Sequence, residues 1–174
     1  MARAAEQRDH VDRFLESIRD DLPPELDLTV EAIVDRISGL SRRFKRLMEE
    51  TLAAHDLTWG EWKVLGFLVR QGPPRRSSPG RLAEYAELSS GAMTNRLDRL
   101  ERAGLIRRLP DPSDRRSVQV ELTEAGEQAY RRPIAPMAVR EALVVSALAE
   151  REREQLSALL RKLMLAFEEA ERER

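Results

Sequence analysis

Apolar residues recur at Ile33, Ile37, Leu40, Phe44, Leu47 and Met48, the three-and-four spacing of one helical face, so a long helix is predicted there. The preceding LDLT offers cap residues, and Pro23–Pro24 separates this helix from a weaker one around Val11 to Ile18. In LTWGEWKVLGFLV, Thr58 and Glu61 have capping-box spacing and open a shorter helix with Trp62, Leu65, Phe67, Leu68 and Val69. QGPPRRSSP stops it. Ser78 can then cap, and Pro79 can occupy the first turn of, the helix PGRLAEYAEL, whose apolar side is Leu82, Ala83 and Ala86. A further helix begins at Ser89 or Ser90. Its Met93, Leu97 and Leu100 fall within about 60° of one another at the helical period, while Gly91, Asn95, Asp98, Arg99 and Arg102 take the opposite side.

Gly104 suits a helix C-cap, and beyond it LIRRL and SVQVEL alternate with period two around PDPSDRR, which predicts a β-hairpin with a long tip. A following helix with Ala129, Ile134 and Met137 is expected to be interrupted near Pro133 and Pro136. A last helix places Leu156, Leu159, Leu160, Leu163 and Phe167 on one stripe. Such a stripe needs a partner, either the chain's own long helix or a second copy, and two long terminal helices flanking a small module fit a homodimer better.

Two short helices joined by a tight turn have helix-turn-helix spacing, and the arginine-tipped hairpin follows in the place of a wing. The expected fold is mainly α with a small β-hairpin wing, a winged helix-turn-helix plus a helical dimerisation region. The expected divisions are 1–57 (N-terminal and long helix, part of the dimerisation region), 58–122 (winged helix-turn-helix) and 123–174 (C-terminal helices, dimerisation region).

Composition narrows the chemistry. No apolar run approaches the length of a membrane span and the N-terminal stretch lacks a signal-peptide core, so a cytoplasmic chain without membrane association is expected. The absence of cysteine excludes disulfides, thiolate zinc sites and thiol redox switches. A net charge of -1 argues against a strongly basic, non-specific nucleic-acid coat. Locally the balance differs: from Arg75 to Arg116 ten arginines face six acids, so positive charge gathers in the middle of the chain. No phosphate loop, nucleophile–base pair or metal cluster is present, which predicts a non-enzyme without cofactor or metal. His10 and His55 stand alone and read as surface residues.

The outer face of the helix from Ser90 is suited to DNA. Asn95 can pair bidentately with adenine, Arg99 can reach guanine or phosphate, and Ser89, Ser90 and Thr94 lie where small and hydroxyl-bearing residues allow close approach to the backbone. Arg115 and Arg116 at the hairpin tip suit the minor groove, where negative potential is focused. Taken alone, an arginine-rich outer face is more often only a solvated surface; the order of elements favours DNA. A symmetric dimer would read a palindromic operator in double-stranded DNA. Two other functions remain open: an architectural DNA-binding protein, for which the charge is too small, and a protein-interaction module, which would not need Arg115 and Arg116.

The segment GAMTNRLDRLERAGLIRRLPDPSDRRSVQVELTEAG resembles MarR-type transcriptional regulators, with recognition helix, wing and LTEAG helix start together. The resemblance extends from about Asp27 to Phe167. It implies an obligate homodimer on a palindromic operator and repression relieved by a small aromatic anion. By the wing motif D-x-R, it implies that Asp114 buttresses Arg116 in the minor groove and that Arg115 meets phosphate.

Within the family the chain is most similar to the urate-responsive branch, two of whose ligand-site arginines match Arg96 and Arg108. That branch's tryptophan is Phe14 here, and its aspartate is Lys63. The expected effector is therefore an organic anion other than urate, held by Arg96, Arg108 and Lys63, with Trp59 available to stack on an aromatic ring. Arg96 also falls at the edge of the apolar helix face, an unusual place for a charge unless it pairs with an acid. If both arginines only pair with acids such as Glu101, the protein is a ligand-blind regulator.

Overall fold

A computed structural model of the chain describes residues 7–23, 25–111 and 117–173. Helices α1 (His10–Ser17) and α2 (Leu28–Ala53) come first, joined through a 3-10 turn at Arg19–Asp21. They are followed by α3 (Trp59–Arg70), β1 (Arg76–Ser77), α4 (Pro79–Tyr85), α5 (Ser90–Arg102), β2 (Ile106–Pro110), β3 (Val118–Leu122), α6 (Glu124–Arg131), α7 (Ile134–Val144) and α8 (Glu150–Arg172). The chain divides into two compact units after Leu47, within α2.

In the first unit, Asp9 caps α1 and, with Asp12, receives the Arg36 guanidinium of α2. That pairing, with the backbone N–H bonds of the cap, holds the Asp9 carboxyl well below the usual carboxylate range. Val11 and Leu15 are its buried apolar residues, whereas Val30, Ile33, Val34, Ile37 and Leu40 of α2 are exposed. Asp27 accepts from the Thr29 backbone N–H at 2.8 Å, the cap expected from LDLT.

The second unit is built around the predicted capping signals. Thr58 and Glu61 form the capping box of α3, Ser78 caps α4 with Pro79 in its first turn, and Ser89 caps α5. Gly104 ends α5 with φ +72°, a conformation that costs glycine little. The core gathers Leu65 and Leu68 of α3, Leu82 of α4, Met93, Leu97 and Leu100 of α5, and Ile106 and Val120 of the sheet. Thr123 caps α6 while its hydroxyl donates to the Gly104 carbonyl at 2.7 Å. At Gly126 an added Cβ would collide with the Leu105 carbonyl, so the glycine of LTEAG lets α6 start hard against the base of the wing.

Two expectations need correction. The hairpin belongs to a three-stranded antiparallel sheet of order β1–β3–β2, because Arg76 and Ser77 pair with Glu121 and Val120. Two residues between proline-rich turns carry no periodicity from which a strand could be read. The second concerns the prolines near Ile134. Pro133 separates α6 from α7, but Pro136 does not break the chain: it sits in the first turn of α7, where a backbone N–H has no helical partner to lose. Among the described residues no helix is long and apolar enough to cross a membrane.

Candidate nucleic-acid interface

Helix α5 buries Met93, Leu97 and Leu100 and leaves Ser89, Ser90, Thr94, Asn95, Arg99 and Arg102 exposed around it. Ser89 fixes the start of the helix by accepting from the Ala92 N–H, and Thr94 turns its hydroxyl back to the Ser90 carbonyl at 2.9 Å. Asn95 has neither tie and stands in solvent on the side opposite the core. These residues are thus solvent-accessible on α5 and at its N-cap.

Two acidic side chains alter the reading of the arginines. Arg99 is ion-paired through Nε to Oε1 of the buried Glu61 at 3.0 Å. Asp98, expected on the open face, pairs with Arg108 of β2 at 2.7 Å. Sequence periodicity gives the direction of a side chain from its own helix, but not which neighbouring element lies beside it. Arg102 remains exposed and donates to the Asp98 carbonyl.

The hairpin is tied at its base by charge. Glu121 of β3 is buried and receives Arg76 from β1 and Arg107 from β2, so one carboxylate ties the three strands together. Burial alone would raise its pKa; the two guanidinium partners outweigh that and hold it below the ordinary glutamate value. Glu127 of α6 similarly receives Arg75 and Arg131. Glu61, Glu121 and Glu127 were all missed as interface supports; an acid within the apolar run VQVEL was the visible signal for Glu121. Where β2 and β3 leave the sheet, the Asp111 N–H bonds to the Ser117 carbonyl at 3.0 Å. The tip residues Asp114, Arg115 and Arg116 lie outside the described residues.

The four residues expected to hold an anion each have surroundings of their own. Arg108 is bound by Asp98 and by Glu101, whose carboxylate also receives the Arg108 backbone N–H at 2.9 Å. Burial opposes the charge on Arg108, and these carboxylates more than offset it, raising its pKa. Lys63 lies over the Tyr85 ring, 5.5 Å from its centre. Trp59 stacks on Trp62, which stacks in turn on Tyr130 and donates its indole N–H to the Tyr130 carbonyl. Arg96 is the exception: half-buried, it lies against Gly60, where a Cβ would strike the guanidinium, and it has no acidic partner among the described residues.

Helix α4, the turn at Leu88, helix α5 and the β2–β3 hairpin, packed over one core, make the second unit a winged helix-turn-helix. The family model described as MarR family matches residues 57–118. The chain is 32% identical over 137 residues to the HTH-type transcriptional regulator PecS of Dickeya dadantii, covering 79% of this chain and 82% of that protein. It also resembles wild-type MarR from E. coli in its apo form, with a TM-score of 0.65 and 30% identity over 73% of this chain and 93% of that one. A mutant MarR from E. coli complexed with operator DNA gives 0.64 and 29%, covering 79% and 99%. The chain belongs to the MarR family of transcriptional regulators.

Proposed function

We propose that the protein is a cytoplasmic homodimeric repressor that presents two copies of α5 to successive major grooves of a palindromic operator. The observation that carries this reading is the division of α5 into a buried stripe of Met93, Leu97 and Leu100 and an exposed polar face centred on Asn95. Ser89, Ser90 and Thr94 approach the backbone, Asn95 reads a base, and Arg99 meets phosphate. At the wing tip, Asp114 orients Arg116 in the minor groove and Arg115 meets phosphate. The exposed stripe of α8, Leu159, Leu160, Leu163 and Phe167, supports pairing of terminal helices from two copies. DNA-binding assays on duplexes enriched from a random library test the reading. Arg116→Ala should weaken binding by about 1–3 kcal/mol with an unchanged melting curve. Unchanged affinity in that folded variant overturns the wing assignment.

Release of DNA by an organic anion rests on Arg96, a half-buried cation without an acidic partner among the described residues. Trp59, next to Gly60 in α3, offers an aromatic surface, and Arg108 and Lys63 would complete the site by leaving Asp98, Glu101 and Tyr85. The carboxylates already on Arg108 favour a second reading, a ligand-blind regulator in which that arginine only braces β2 against α5. Calorimetry with urate and a panel of aromatic carboxylates, on the protein and on Arg96→Ala, separates them: an effector that ignores the substitution removes Arg96 from the site.

A further inference from the structure

Both arginines on the α3 side of α5 rest on the first turn of α3: Arg96 on Gly60 and Arg99 on Glu61. Glu61 is 5% exposed and fully engaged. Its Oε2 accepts from the Thr58 N–H at 2.8 Å and the Thr58 hydroxyl at 2.7 Å, which fixes the carboxylate in one orientation at the start of α3. Its other oxygen, Oε1, faces Arg99 Nε. Arg99 is by contrast 59% exposed, and among the described residues no acceptor occupies its Nη1 or Nη2. A guanidinium has five N–H donors in a rigid fork, so a partner on the Nε side leaves the outer pair free for a second anion.

We propose that Glu61 is a positioning residue that presents the outer fork of Arg99 to a DNA phosphate at the edge of the groove entered by α5. The proposal rests on the DNA-binding reading above. A freely rotating arginine must be ordered when it meets the backbone, and an arginine already ion-paired to a buried, capped carboxylate has given up part of that freedom in the unbound protein. The same contact makes the first turn of α3 the support of the recognition helix, so the Thr58–Glu61 capping box acts on DNA through Arg99.

The test uses a labelled duplex enriched from a random-sequence library by the wild-type chain, titrated with wild type, Glu61→Gln, Arg99→Gln and the double variant. Glutamine keeps the capping box, so Glu61→Gln should melt with the wild type. Each single variant should lose about fivefold in affinity per half-site, and the double variant should lose no more than Arg99→Gln alone. Arg99→Gln should also reduce the slope of log affinity against log salt by about 0.9 per half-site.

Arg99→Lys supplies a variant that leaves the α3 cap untouched. It keeps the charge but lacks the fork that serves two anions at once, so it should match the loss of Glu61→Gln with the salt slope retained. Tighter binding by Glu61→Gln would show that the carboxylate competes with DNA and overturn the proposal. So would a Glu61→Gln loss that persists in the Arg99→Gln background, an unchanged slope in Arg99→Gln, or full affinity in Arg99→Lys. A wild-type chain that enriches no duplex overturns the DNA-binding reading itself, and with it this one.

Discussion

Helices α5 and α8 carry similar apolar stripes and meet opposite fates. Met93, Leu97 and Leu100 of α5 are each 1% exposed, whereas Leu160 and Leu163 of α8 are each 43% exposed and Phe167 67%. The stripe of α5 is covered by α4 and β2 of the same chain, so the winged unit completes its own core. Among the described residues that of α8 stays open to solvent, and a row of exposed leucines over several turns is the kind of surface that marks protein–protein contact. On the proposed function, reading DNA and pairing with a second copy would thereby be separated along the chain: α5 is finished by folding and α8 would be finished by association.

Substitutions can break this contrast from either side. The largest effect is expected from Leu160→Asp combined with Leu163→Asp, since a buried leucine contributes about 1.5–3 kcal/mol and each is lost from both protomers. Light scattering should find monomers while far-UV circular dichroism keeps the helical signal; a variant that remains dimeric places the interface elsewhere. Next comes Leu97→Ala, expected to lower the stability of the winged unit by about 2–5 kcal/mol in urea unfolding because the packed site cannot collapse around the void. A loss no larger than that of Leu159→Ala in the dissociated chain would erase the distinction between the two stripes.

Smaller effects sharpen the comparison within α5. Asn95→Ala should reduce DNA affinity by about 1–3 kcal/mol and leave the melting temperature unchanged, since the residue is exposed. A fall in melting temperature would mean that the outer face also supports the fold. The smallest effect concerns the base of the wing. Folded Glu121 has its pKa lowered from 4.5, so its ionised form adds stability above the unfolded value, and this contribution disappears as pH falls through the lowered folded value. Melting temperature should thus hold from neutrality to about pH 5 and decline below it, with a shallower decline in Glu121→Gln. Equal acid slopes in the two proteins would remove Glu121 from the clamp.

Local chemistry made much of this fold legible. Asp27, Thr58 with Glu61, Ser78 with Pro79, Ser89 and Gly104 each mark a helix end by a mechanism confined to a few residues, and each helix end falls where its residues place it. Alternation marked β2 and β3, but Arg76 and Ser77 were invisible because a two-residue strand exists only through its pairing with β3. Pro136 misled for a related reason: its effect depends on whether it falls in a first turn or an interior one, and that is set by where the helix begins.

For the candidate site, the sequence by itself determined which face of α5 is polar, because the 3.6-residue period assigns direction from spacing alone. Only the tertiary structure decided what stands beside each arginine. Glu61 is 38 positions before Arg99, and Glu121 lies 45 after Arg76; in both cases folding alone makes the pair. Arg108 of β2 was drawn to Asp98 and Glu101 of α5, while Arg96 of α5 has no acid beside it among the described residues, although both arginines were matched to one ligand site. A charge on one element carries no mark of its partner on another, since long-range pairing follows from how the elements pack and not from the order in which they are written.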